Sequence, residues 1–220
     1  MRVLITAGGT SEAIDCVRKI TNISSGKTAA AISDYFSKKG FDVHFIHSAT
    51  SQKPLVQPHQ CCEYVSFLDL EKSLSLSLKK WEFDLAIHLA AVSDYKVKRV
   101  LVDGKPHNPK NKIAFGRDVV IHLTSNRKLL ELFKTQKKLF LVAFKLTVGS
   151  SHLKRIEAIE RLFEQSSADL VVSNRLEDVS EKTYRAQIYL KGALEKRVFS
   201  REGLSEAIYK IFKQEKIDVS

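Results

Sequence analysis

VLITAGGTSEAIDCVRKITNISSGKTAAA, residues 3–31, decides how the rest of the chain is read. An apolar run at Val3–Thr6 stops before the pair Gly8-Gly9, a polar stretch follows, and Ser24-Ser25-Gly26-Lys27 opens an alanine-rich helix. The run reads as a buried strand, and Ala29, Ile32 and Phe36 fall on one stripe of the helix. Gly8 and Gly9 permit a tight turn and a close approach of backbone to a ligand. Ser25 is expected to cap the helix, whose first-turn N–H groups suit an anion. With Arg18, Lys19 and Lys27 in the same segment, two neighbouring anion sites look suited to a chain of phosphates.

Strand and helix alternate from there on. Phe41–His47 reads as a second strand, and Pro54 and Pro58 mark a loop. Asp69–Lys80 is a helix with Leu70, Leu74 and Leu78 in step, although the alternation SLSLSL at 73–78 would also suit a short strand. Leu85–Ala90 is nearly all apolar, as a parallel strand covered on both faces should be. Further strands are expected at Val119–Leu123, Leu139–Phe144 and Leu170–Ser173, with helices at about Asn126–Lys137, His152–Gln165 and Leu204–Phe212. Ala186–Leu190 and Lys196–Phe199 resemble a hairpin at the sheet edge. Residues 96–117, basic and holding Gly104, Pro106, Pro109 and Gly116, break the pattern and are expected to form a flexible flap. The fold class is therefore α/β: a doubly wound, mostly parallel sheet with helices on both faces, Rossmann-like. Such sheets bind ligands beyond the carboxyl ends of their strands. That rule gathers Gly8-Gly9, Ala90–Asp94, Phe144-Lys145 and Ser173-Asn174 on one edge.

Composition narrows the classes. A chain of 220 residues holds one α/β domain with a substantial core and little room for a second. The formal charge of +11 favours anionic partners. Aromatic residues do not interleave with the basic ones as stacking platforms for nucleic acid do, so no nucleic-acid partner is expected. No apolar run reaches the length of a membrane span, and the chain opens on its core strand, so no membrane partner and a cytoplasmic location are expected. Cys16, Cys61 and Cys62 have neither metal-ligand nor disulfide-framework spacing. A nicotinamide enzyme would need G-x-G-x-x-G and an acid ending the second strand, where this chain has His47.

The set ITAGGTSEAIDCVRKITNISSGK (5–27), AAVSDY (90–95), KI (112-113), VAFKL (142–146) and SN (173-174) resembles the phosphopantothenoylcysteine synthetase, or phosphopantothenate–cysteine ligase, family over essentially the entire chain. The likeness is to the stand-alone bacterial form. It implies an enzyme that activates the 4'-phosphopantothenate carboxylate with CTP, Mg2+ accompanying the triphosphate, to an acyl-cytidylate. L-cysteine then displaces CMP to leave an amide. It also implies a homodimer. The same ligation with ATP, or a non-catalytic homologue of the fold, stands as the alternative.

Each candidate has a plainer reading beside it. The resemblance gives Asn22 the step that consumes the acyl-nucleotide, and otherwise it is a turn residue. Arg18 suits a carboxylate or phosphate by bidentate contact, or a surface ion pair. Lys112, before Ile113, is the expected flap lysine, with Lys110 as rival. A closing flap would keep water from the intermediate. Gly8, Gly9, Thr10, Ser24, Ser25, Gly26 and Lys27 would line the phosphates, unless Lys27 is merely a solvated helix lysine. Ala90 and Ala91 would let a ring approach the backbone. Asp94 would accept from a cytosine amine or simply pair within its loop. Phe144 would pack on ribose or base, or belong to the core. Asn174 completes the set, and no metal ligand can be named. Cys16, Thr147 and Arg175 depart from the commoner family residues, and Arg175 reverses the charge found after the asparagine.

Overall fold

The computed structural model describes residues 1–180 and 183–218. The chain runs β1 (Arg2–Ala7), β2 (Ser11–Ala13), β3 (Lys19–Thr21), α1 (Lys27–Lys38), β4 (Asp42–Ser48), β5 (Gln60–Tyr64), α2 (Phe67–Lys80) and β6 (Leu85–His88). It continues with β7 (Tyr95–Val102), β8 (Lys105–Pro106), β9 (Val119–Ser125), a 3-10 helix (Leu129–Thr135), β10 (Phe140–Thr147), α3 (His152–Ser166) and β11 (Leu170–Arg175). It closes with β12 (Ala186–Leu190), β13 (Ala193–Val198) and α4 (Arg201–Asp218).

Eight strands form the main sheet in the order β13-β12-β11-β10-β6-β1-β4-β5. Neighbours from β5 to β11 are parallel, and β12 and β13 add an antiparallel hairpin at the edge, where the sequence places one. β1 sits at the centre and is buried from Val3 to Ala7, which is why its residues show no polar face. Val3, Ile5 and Ala7 point to one core, under α1 and α4, while Leu4 points to the other, under α2, the 3-10 helix and α3. After β1 the chain winds outward to β4 and β5, then returns through β6 on the other side of β1. That reversal opens the crevice between the ends of β1 and β6.

Two expectations are corrected, and the helical reading of 73–78 holds over its strand alternative. The strand at Val119–Leu123 is not part of the main sheet. It is β9, paired antiparallel with β7, and β7 also pairs with β8, so residues 96–106 of the expected flap supply two strands of a three-stranded sheet and 107–118 form a loop at its end. Its strands expose Tyr95, Val119, Val120 and Leu123. The α-helix expected over Asn126–Lys137 is one shorter 3-10 stretch. Gln136 ends it, donating through Nε2 to the carbonyls of Leu78 (2.8 Å) and Trp81 (2.7 Å) and accepting from the Phe83 N–H (2.9 Å). The chain at 73–78 is helical and belongs to α2, which starts before Asp69. Ser66 caps α2, with Asp69 completing a capping box.

Candidate functional site

A cleft of about 690 Å³ opens at the carboxyl ends of β1, β6, β10 and β11. One wall is the amino end of α1. Gly26 is its N-cap, held left-handed at φ 71°, and no side chain caps it. The expected capping role of Ser25 is thus corrected, since its Oγ lies 3.5 Å from the Lys27 N–H, at the limit of a hydrogen bond. The first-turn amides of α1 have no intrahelical partner and face the cleft together with Lys27 and Thr28.

The glycines serve the protein's own packing first. A Cβ on Gly8 would fall 2.0 Å from Ser48 Oγ, one on Gly26 would fall 1.8 Å from Ser51 Oγ, and one on Gly9 would fall 1.9 Å from the Asn22 carbonyl oxygen. The short β2–β3 hairpin folds Asn22 back over Gly9, where its N–H donates to the Thr10 carbonyl (3.2 Å). Asn22 thereby reaches the cleft, and its carboxamide makes no hydrogen bond among the described residues. Thr10 is fully buried behind the cleft. Its Oγ1 accepts from the Ser93 N–H (2.9 Å), and its own N–H donates to the Ala91 carbonyl (3.2 Å). Tyr64 donates its hydroxyl to the carbonyls of Ala7 (2.9 Å) and Gly8 (3.0 Å), fixing the end of β1 from below.

The field in the cleft is positive. Lys27, Arg127, Lys128, Lys145 and Arg201 line it, against Asp94 as the lining carboxylate. Lys128 Nζ sits 2.6 Å from Asp94 Oδ1, and Arg127 pairs with Glu71. Arg201, at the start of α4, donates to the Ser180 carbonyl (2.9 Å) and to Thr28 Oγ1 (3.3 Å), with its guanidinium 5.1 Å above the Tyr184 ring. Asn174 Nδ2 donates to the Arg185 carbonyl (2.7 Å), which fixes its side chain at the cleft's far end. His88 forms part of the floor beside β1, its Nδ1 2.9 Å from Thr6 Oγ1. Burial lowers its pKa to about 4, so the ring is neutral near pH 7.

The cleft therefore gathers Gly8, Asn22, Ser24, Ser25, Gly26, Lys27, Ala90, Ala91, Asp94, Phe144 and Asn174 from the candidates. It does not gather Gly9, Thr10, Arg18 or Lys112. Arg18 is bound by its neighbour: Nη1 pairs with buried Asp15 and donates to the Ile113 carbonyl at 3.2 Å. Lys112 is exposed on the 107–118 loop, while the next residue, Ile113, is buried and donates its N–H to Asp15 Oδ2 (3.0 Å). Sequence reading missed Arg127, Lys128 and Arg201, which belong to loops and a helix start with no local motif. Ser173 turns to the opposite face of β11 from Asn174.

Comparison with known proteins places this architecture. Residues 1–212 match the family model described as DNA/pantothenate metabolism flavoprotein C-terminal domain. The chain belongs to this family. A coenzyme A biosynthesis bifunctional protein CoaBC of Thermococcus kodakarensis is 35% identical over 176 residues, covering 80% of this chain and 41% of that protein. A phosphopantothenate–cysteine ligase 2 of Oryza sativa subsp. japonica is 35% identical over 100 residues, 43% of this chain and 29% of that one. The chain thus spans less than half the length of these curated relatives. A crystal structure of the DNA/pantothenate metabolism flavoprotein from Streptococcus pneumoniae superposes with a TM-score of 0.86 at 26% identity, covering 97% of this chain and 99% of that one. No helix among the described residues is long and apolar enough to cross a membrane.

Proposed function

We propose that this chain is a phosphopantothenate–cysteine ligase, with CTP as the activating nucleotide. The observation that carries the reading is the positive cleft built on the amino end of α1, with Asn22 presented inside it. Family membership, and the activities named for its relatives, support the same chemistry.

In this reading the α1 amides and Lys27 hold the triphosphate, and Lys128, Lys145 and Arg201 add positive charge around it. The carboxylate of 4'-phosphopantothenate attacks the α-phosphorus, the bond to the β-phosphate breaks, and pyrophosphate leaves. The amine of L-cysteine then attacks the acyl carbon, the bond to the nucleotide oxygen breaks, and CMP departs as the amine gives up its proton. Asn22 can donate its amide N–H to the acyl oxygen as negative charge develops there. Mg2+ would accompany the triphosphate as part of the metal–nucleotide substrate. Asp94 gives a base's exocyclic amine an acceptor once Lys128 yields it; adenine carries such an amine too, so the preference for CTP over ATP rests on the family resemblance.

A homodimer is part of the proposal. Phe115 is fully exposed on the loop that carries Lys112, and Val120 and Leu123 are exposed on the neighbouring β9. Lys112 does not line the cleft of its own chain, so a flap crossing to a second copy would give it a site to close.

Pyrophosphate release is the deciding measurement, with each substrate omitted in turn and CTP compared with ATP. Release should need phosphopantothenate and CTP but not cysteine. Asn22→Ala should still release pyrophosphate while amide formation falls by about a hundredfold, the scale of a lost oxyanion donor. Mixing Asn22→Ala with Lys112→Ala should restore activity if the flap acts across two copies. Pyrophosphate release that ignores phosphopantothenate would overturn the reading.

A further inference from the structure

On the opposite face of β11 lies a separate recess of about 230 Å³ that shares no lining residue with the cleft. Successive residues of one strand end divide between the two: Asn174 faces the cleft, while Ser173 and Arg175 face the recess. Strand register sets its floor. Ser173 pairs with Gln187, and Gln187 pairs with Arg197, so three side chains line up across β11, β12 and β13. Arg155 reaches in from the first turns of α3, and Arg185 from the start of β12 region.

The recess is walled by Arg155, Arg175, Arg185 and Arg197, with Asp178 as the one lining carboxylate among the described residues. Arg175 Nε lies 3.5 Å from Glu177 Oε2 and 3.9 Å from Asp178 Oδ2. The other three guanidinium groups have no carboxylate partner among the described residues. Three guanidinium groups without a carboxylate around one small cavity repel unless an anion joins them. A second observation points the same way. Ser173 is only 3% exposed, yet among the described residues its Oγ has no hydrogen-bond partner, and the Nε of Arg155 is likewise buried and unpartnered there. Buried polar groups of this kind normally have partners.

We propose that this recess is a second anion site, taking a small phosphate-bearing ligand between the arginines with Ser173 donating from the floor. Planar guanidinium groups match phosphate oxygens two at a time, and a neutral hydroxyl donor completes the set without adding charge. The volume admits a phosphate with a short organic stem. The site stands independently of the ligase reading.

The test uses the full chain, labelled with 15N, titrated with inorganic phosphate, with glycerol 3-phosphate, and with citrate as a carboxylate comparator. Saturable amide shifts at Ser173, Arg175, Arg185 and Gln187 are expected from a phosphate probe, and the better of the two phosphate probes identifies free phosphate or its ester as the source. Arg185→Gln/Arg197→Gln should weaken that binding by roughly tenfold or more, as loss of charge-assisted hydrogen bonds does. Ser173→Ala removes the floor donor without changing charge, and it too should weaken binding, whether or not the double variant folds. Shifts that appear only at residues 24–29, that do not saturate, that citrate matches, or that both variants leave unchanged would each overturn the proposal.

Discussion

At the scale of single residues, the glycines show how one atom decides a turn. Gly26 combines a left-handed backbone with Ser51 Oγ, which a Cβ would meet at 1.8 Å. Gly26→Ala should therefore cost about 2–4 kcal/mol, part backbone strain and part overpacking. Urea unfolding checks this, and adding Ser51→Ala should recover the packing part while leaving the strain. The glycines were legible in the sequence as turn formers. Their reason was not, because Ser48, at the end of β4, and Ser51, in the turn beyond it, lie far along the chain, and no local pattern records what a turn will meet.

Among elements, buried Asp15 joins two segments that the sequence keeps apart. Its carboxylate accepts the N–H groups of Val17 (2.8 Å), Arg18 (2.6 Å) and Ile113 (3.0 Å), and pairs with the Arg18 guanidinium. Burial alone would raise its pKa, but the backbone donors from Ile113, Val17 and Arg18 and the Arg18 side chain prevail and hold it well below the usual carboxylate range. Asp15→Asn should loosen the 107–118 loop, and trypsin should cut after Lys110 or Lys112 roughly tenfold faster. Unchanged cleavage would mean the loop is held elsewhere. The Lys-Ile pair was readable as a motif. That Ile113, and not Lys112, is the anchored member depends on an acceptor 98 residues away. β5 was unreadable for a different reason: it is an edge strand with four of its five residues exposed, so no apolar period marks it. β9 was read as a strand, but composition does not say which sheet it joins; β7 was read as part of a flap, because Lys96, Lys98 and Arg99 interrupt its apolar residues and most of its face is exposed.

For the whole molecule, two imidazoles tie stability to pH. His88 is held near a pKa of about 4 by burial, and His44 likewise by burial, with the nearby charge of Arg2 and His59 adding to it. An unfolded chain takes up protons on these groups below about 6.5, whereas the folded chain resists until about 4. Stability should therefore fall as pH drops through that window and be fully present above it. His44 meets Phe83 and Trp81 edge-on, with ring centroids 5.0 and 5.5 Å away, so His44→Phe keeps an aromatic ring there while removing the titrating group. That variant should flatten the slope of unfolding free energy between pH 6.5 and 4, and an unaltered slope would rule His44 out as a source.

The amino-acid sequence alone determined the alternation of buried strands and amphipathic helices, the parallel central sheet, the antiparallel edge hairpin and the strand ends where the cleft would open. All of these rest on periodicity and on glycine placement, which report how a residue is buried within its own segment. The tertiary structure alone decided that Arg18 is engaged by Asp15, that β9 leaves the main sheet, that Arg127, Lys128 and Arg201 converge on the cleft, and that Ser173 and Asn174 serve opposite faces of one strand end. Those outcomes depend on partners brought together from distant parts of the chain, and burial patterns carry no record of which partner a residue will find.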